Sequence, residues 1–323
     1  MDNRNFGIIF MGTPDFAVES LKILYEKGVK ILAVVTAPDK PAGRGRKIRE
    51  SAVKKYALSE GLKVLQPHNL KSDDFIAELK NLNADLYVVV AFRMLPEVVW
   101  NMPKYGTVNL HASLLPQYRG AAPINHAVIN GETKTGVTTF FIEKEIDTGN
   151  IIAQKEVEIL PDETAGELHD KLMLVGGELI LKTVTDIMNK AVNPIPQSEL
   201  AANTEIKPAP KIFKDDCKIE WNRRTDKIYN FIRGLSPYPA AWTILENSQK
   251  TLILKIFRAD KITEKHSLIP GEIVSNNKNY LKIAAADGFL DVKELQLQGK
   301  KPMRVNDLLN GFDISAYKIK QRK

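Results

Sequence analysis

Over the first 110 residues, short apolar runs alternate with longer stretches in which apolar positions recur every three or four residues. The runs at 6–11 (FGIIFM), 29–36 (VKILAVVT) and 84–91 (ADLYVVVA) are β-branched and apolar on both faces, as buried parallel strands are. Between them, 14–28 (PDFAVESLKILYEKG) carries a helical repeat, and 51–61 (SAVKKYALSEG) is a second helix that Gly61 ends. A short strand at 62–66, a helix at about 72–81 and a strand at 106–111 (GTVNLH) follow. This alternation predicts a doubly wound, mostly parallel sheet, in which ligand chemistry gathers at the carboxyl ends of the strands.

Beyond residue 111 the pattern changes twice. Two strands are expected at 135–143 and 150–159, joined by the turn KEIDTGN, and a long helix runs from about Ala165 to Lys190. Residues 191–210 hold four prolines among small and polar residues and read as a linker. Past it, one helix at 225–235 and closely spaced short strands predict a small β-barrel or sandwich. The chain is thus expected to comprise a domain at 1–190, a linker at 191–210 and a second domain at 211–323.

Composition narrows the function. With 44% apolar and 26% charged residues, the chain reads as an ordinary globular protein. The single cysteine, Cys217, allows no disulfide framework, and five scattered histidines give no metal-ligand spacing. The amino terminus has no secretory pattern, and no apolar run reaches the roughly 18 residues of a membrane span. A cytoplasmic monomer is the expectation. Charge is unevenly spread: residues 205–323 carry 23 Lys and Arg against 14 Asp and Glu, whereas residues 1–204 carry 23 against 25. A basic second domain points to a polyanionic partner or to a solubilising lysine-rich surface.

The usual cofactors of a doubly wound sheet are disfavoured. The first strand–helix turn, FMGTPDFA, has one glycine where a dinucleotide site needs three, and no Walker sequence occurs. The polar residues lie elsewhere. Asn109 and His111 are two apart on a strand and share a face, so both could donate to one oxygen as a carbonyl becomes tetrahedral. Asp147, in the later turn EIDTGN, could favour the charged imidazole and help move a proton. Each residue also has a plainer reading: a satisfied structural histidine, an aspartate suited to a turn, and a rigid loop at SLLPQYRG. Spacing alone leaves these open.

The strings NLHASLLPQYRGAAP and EIDTGNII resemble those of the formyltransferases that use 10-formyltetrahydrofolate. FMGTPDFA, PDKPAGRGRK, KPAPKIFKDDCKIEW and IRGLSPYPAAW resemble the branch that formylates methionyl initiator tRNA, and the likeness runs from about residue 6 to 312. The resemblance implies a Rossmann-like first domain with an OB-like second domain that grips tRNA. It implies 10-formyltetrahydrofolate as cosubstrate, no metal, and direct attack by the methionyl α-amine on the formyl carbon. By it, Asn109 and His111 would stabilise the oxyanion and Asp147 would keep His111 charged. Ser113, Leu114, Leu115 and Pro116 would line the folate site, while Arg119 would have a structural or positioning role.

Two loops add detail. Lys40, Arg44, Arg46, Lys47 and Arg49 stand together without an acid, and beside the resemblance they are expected to meet tRNA phosphates. By the resemblance Phe92, Arg93, Met94 and Leu95 would adjoin the folate, although their loop AFRMLP departs from the branch's usual Ala-Tyr-Gly form. Two rival functions share these features: formyl transfer to a small amine (glycinamide ribonucleotide or an amino sugar nucleotide), and tRNA binding without catalysis.

Overall fold

The structure, a computed structural model, describes residues 6–42, 47–200 and 205–320. The chain divides into two compact units. One comprises Met1–Gly120, Lys134–Glu158 and His169–Pro208; the other comprises Ala121–Thr133, Ile159–Leu168 and Ala209–Lys323. Residues 121–133 and 159–168, early in the chain, therefore group with the second unit.

The elements of the chain begin with β1 (Gly7–Gly12), α1 (Asp15–Glu26), β2 (Lys30–Val35) and the hairpin strands β3 (Lys40–Ala42) and β4 (Lys47–Arg49). Next come α2 (Ala52–Ser59), β5 (Val64–Leu65), α3 (Asp73–Leu82), β6 (Leu86–Val90), α4 (Glu97–Trp100) and β7 (Thr107–His111). Helix α5 (Pro123–Asn130) precedes β8 (Lys134–Phe141), β9 (Ile151–Glu158), α6 (Ala165–Met188) and the short α7 (Gln197–Leu200). Local chemistry explains several boundaries. The Ser51 side chain accepts from the Lys54 N–H at the start of α2. Thr164 and Glu167 form a capping box ahead of α6, each side chain accepting from the other's backbone N–H.

In the first unit the sheet order is β5-β2-β1-β6-β7-β8-β9. The strands from β5 to β7 are parallel, whereas β8 and β9 run antiparallel, as strands joined by a turn do. The expected doubly wound, mostly parallel sheet is present. Ile9, Met11, Val35, Tyr87 and Val89 supply one face of its core, with Phe75, Leu79 and Val99 packed on them. Strand β7 carries Asn109 and His111, and α6 fixes its other face. Gly176 of α6 lets the helix approach so closely that a Cβ there would come within 2.7 Å of Leu110 Cδ2. Thr183 of α6 and Thr139 of β8 add a buried hydroxyl pair at 2.8 Å.

The second unit holds α8 (Thr225–Leu235), β10 (Ala241–Glu246), β11 (Thr251–Ile262), β12 (Ile273–Ser275), β13 (Leu281–Ala284), β14 (Phe289–Leu297), β15 (Met303–Arg304), α9 (Val305–Leu309) and β16 (Lys318–Ile319). Its antiparallel, barrel-like sheet has the order β12-β13-β14-β11-β10-β16, with β15 pairing β14. Helix α8 buries Ile228, Tyr229, Ile232 and Leu235, a helical stripe, among Leu254, Ile256, Leu290 and Leu295. Asn125 of α5 donates to the Gly234 carbonyl at 2.7 Å, which ties this earlier segment to α8.

Candidate functional site

Strand β7 lies between β6 and β8, and its alternation puts Asn109 and His111 on the face opposite Leu110. Asn109 is half-buried, and its amide makes no hydrogen bond among the described residues. An unspent amide at the carboxyl end of a central strand can serve a ligand oxygen.

His111 is differently placed. The ring is buried, with Nε2 2.8 Å from the Tyr118 carbonyl oxygen and Nδ1 3.7 Å from Asp147 Oδ2. A carbonyl only accepts, so Nε2 carries a proton and donates. Nε2 is therefore spent on the loop carbonyl, while Nδ1 faces Asp147 Oδ2 from beyond hydrogen-bond distance. With Nε2 engaged by the Tyr118 carbonyl, Nδ1 is the ring nitrogen left to act beside Asn109.

Asp147 reaches His111 from the turn between β8 and β9. Its backbone is left-handed (φ 55°), and its Oδ2 accepts from the Gly120 N–H at 3.0 Å. Gly149, two residues on, packs so tightly that a Cβ would collide with the Phe141 carbonyl oxygen. The Asp-x-Gly spacing thus combines a chemical residue with a glycine that the turn requires.

The segment from Ser113 to Pro116 is largely internal. Ser113 donates to the Gln117 carbonyl at 2.6 Å, and Leu115 packs with Phe140 and Ile151. Thr138 Oγ1 donates to the Ser113 carbonyl at 2.6 Å and accepts from the Leu115 N–H at 3.1 Å. Pro116 is buried after a cis peptide bond, and Leu114 is half-buried. Ser113 therefore spends its hydroxyl on the loop itself, and Leu115 its side chain on β8 and β9.

The loop at 92–95 is also tied down. Arg93 donates to the carbonyls of Pro67 and His68, the latter at 3.1 Å, and Leu95 is buried, while Met94 is 74% exposed. In the basic loop, β3 and β4 pair Lys40 with Arg49 and Ala42 with Lys47. Arg44 and Arg46 lie outside the described residues. Lys40 and Arg49 are exposed, like charges directly opposed across a hairpin, a placement that costs stability unless an anion lies near. The flanking acids do not relieve it, because Asp39 and Glu50 both pair with Lys54. That contact holds the Asp39 carboxyl below its usual range.

Sequence reading missed three contributors: the Tyr118 carbonyl, the Gly120 N–H and Gln197. Two are backbone groups with no residue signature. Gln197 stands in the stretch read as a linker, and no spacing relates it to Asp147. Among the described residues there is no metal-type cluster of three or more His, Cys, Asp or Glu, and no helix long and apolar enough to cross a membrane.

The chain is similar to known proteins over nearly its whole length. A family model described as formyl transferase matches residues 5–184, and one for the formyl transferase C-terminal domain matches 211–313. The methionyl-tRNA formyltransferase of Bacteroides fragilis is 54% identical over 322 residues, 99% of each chain. That of Flavobacterium johnsoniae is 54% identical over 308 residues, 95% of this chain and 96% of the other. WlaRD, a sugar 3N-formyl transferase solved with dTDP and 5-N-formyl-THF, superposes with a TM-score of 0.63 at 21% identity, over 92% of this chain and 99% of that one. An N-formyltransferase from Helicobacter canadensis, in complex with folinic acid and dTDP-3-aminofucose, gives 0.62 at 22%, over 89% and 98%. These two likenesses concern the fold.

Proposed function

Because the chain belongs to the formyl transferase family, we propose that it moves the formyl group of 10-formyltetrahydrofolate to the α-amine of methionyl initiator tRNA, with Asn109, His111 and Asp147 as its catalytic residues. The observation that carries this reading is the unspent Asn109 amide on the same strand face as the buried His111–Asp147 pair. The near full-length 54% identity to methionyl-tRNA formyltransferases favours this substrate over a small amine, since the sugar enzymes share only the fold.

When bound, 10-formyltetrahydrofolate supplies an activated formyl carbon whose nitrogen leaves as an amine. Asn109 donates to the formyl oxygen as negative charge gathers there. The attacking amine must lose a proton as its new bond to carbon forms, and the departing nitrogen must gain one. Asp147 Oδ2 is committed to Gly120 and faces His111, while Oδ1 makes no hydrogen bond among the described residues. Oδ1 accepts the amine's proton and returns it to the departing nitrogen, with His111 steadying the carboxylate. Ser113 to Pro116 form a wall of the folate site through backbone and Leu114, with residues 92–95 as a weaker contributor. Lys40, Arg44, Arg46, Lys47 and Arg49 meet phosphates of the acceptor arm, and the basic second unit grips the tRNA body. The reading extends to a monomer working in the cytoplasm, where initiator tRNA is charged.

The test is a formylation assay with 10-formyltetrahydrofolate and, in parallel, methionyl initiator tRNA, glycinamide ribonucleotide and an amino sugar nucleotide. Formylation of the tRNA alone is expected. Turnover of only a small amine, or of nothing, overturns the reading.

A further inference from the structure

Gln197 is 3% exposed, and its amide is fully used. Its Oε1 accepts from Arg119 Nε at 3.0 Å and Arg119 Nη2 at 2.6 Å. Its Nε2 donates to the carbonyls of Asp147 and Gly149, both at 2.9 Å. An amide offers two acceptor sites and two donor hydrogens, so nothing is left over. Only one orientation works, because turning the amide over would set its NH2 against the guanidinium and its oxygen against two carbonyls.

The backbone holds this side chain in place. Ile195 and Ile151 exchange two N–H···O bonds of 2.8 Å, which lash the segment before Gln197 to the start of β9. The bonded groups surround Asp147. Its left-handed backbone is gripped through its own carbonyl, and its carboxylate is gripped by the N–H of Gly120, the residue after Arg119. One buried amide thus joins the two chain segments whose spacing sets the distance from Asp147 to His111.

We infer that Gln197, acting with Arg119, is a positioning residue that fixes the Asp147 carboxylate against His111. The inference rests on the catalytic reading of Asp147. It gives the stretch after α6 a part in catalysis, and gives Arg119 a partner and a task. Glutamine is required because glutamate would keep Arg119 but set a carboxylate oxygen against the Asp147 and Gly149 carbonyls. Methionine would match the shape and satisfy none of the four groups.

The test is steady-state formylation by the full chain carrying Gln197→Glu or Gln197→Met, each alone and combined with Asp147→Asn. Each single change is expected to lower kcat about a hundredfold, as a misplacement near 1 Å does. KM for 10-formyltetrahydrofolate and for tRNA should stay within about twofold. Added to Asp147→Asn, Gln197→Glu should cost less than about threefold more, because the residue acts through Asp147. Should Gln197→Met fail to fold, Gln197→Glu keeps the volume and the Arg119 contact and decides the matter. Wild-type kcat in Gln197→Glu, or a full multiplicative loss on top of Asp147→Asn, overturns the inference. Normal turnover by Asp147→Asn itself would sink the catalytic reading and this inference together, a pattern distinct from the other two.

Discussion

The Tyr118 carbonyl oxygen accepts a 2.8 Å hydrogen bond from Nε2 of His111, which fixes where the imidazole keeps its proton and turns Nδ1 toward Asp147. The ring is oriented by a backbone group seven residues downstream, so its role is set by the loop as much as by the strand. His111→Ala and Asp147→Asn are each expected to lower kcat by about 10²–10⁴-fold, the range for a lost acid–base group. The double variant should be little worse than the poorer single one, since the two act as a unit. Single-turnover formylation measures this.

Asn109 is the free donor of the site. Asn109→Ala should reduce kcat by about 10²–10³-fold, the usual cost of one lost oxyanion donor, with donor and tRNA affinities retained. A rate near wild type, with binding checked by fluorescence titration, would return Asn109 to a structural role.

The β3–β4 hairpin opposes Lys40 to Arg49 with their neighbouring acids engaged by Lys54. Replacing both Lys40 and Arg49 by alanine should raise KM for tRNA and flatten its salt dependence by about 0.7–0.9 in log–log slope per lost phosphate contact. KM for 10-formyltetrahydrofolate should not move. Equal changes in both constants would count against a tRNA role for the hairpin.

Asp287 caps α8 by accepting from the Thr225 N–H and hydroxyl, each at 2.7 Å, and chiefly the backbone bond holds its carboxyl below the ordinary value of 3.8. A depressed carboxyl stabilises the fold above its unfolded pKa, and the effect fades as pH falls through the folded value. Asp287→Asn should therefore melt below the wild type at neutral pH, with the gap narrowing as the pH falls through and below 3.8. A gap independent of pH would show that the charge contributes nothing.

Gly149 has no room for a side chain beside the Phe141 carbonyl. Gly149→Ala should destabilise the first unit by about 1–3 kcal/mol, the typical cost of overpacking, and lower kcat by shifting Asp147. Thermal melts and formylation rates on one preparation would check both.

Periodicity and residue type sufficed for much of the architecture. The runs around Ile8, Val34 and Val88 could be buried strands and little else, and the α8 stripe of Ile228, Ile232 and Leu235 declared its own inward face. Asn109 and His111, two apart on a strand, had to share a face, and an Asp-Thr-Gly turn was legible because a left-handed aspartate and a cramped glycine favour those residues. What the sequence could not decide depends on contacts between segments far apart along the chain. Only the fold brings Gly120 and Gln197 to Asp147, turns His111 to a loop carbonyl, and groups α5 with α8 through Asn125 and Gly234. Each of those bonds uses a backbone group, which leaves no pattern in composition or period; its partner is chosen by where the sheet and its loops end up in space.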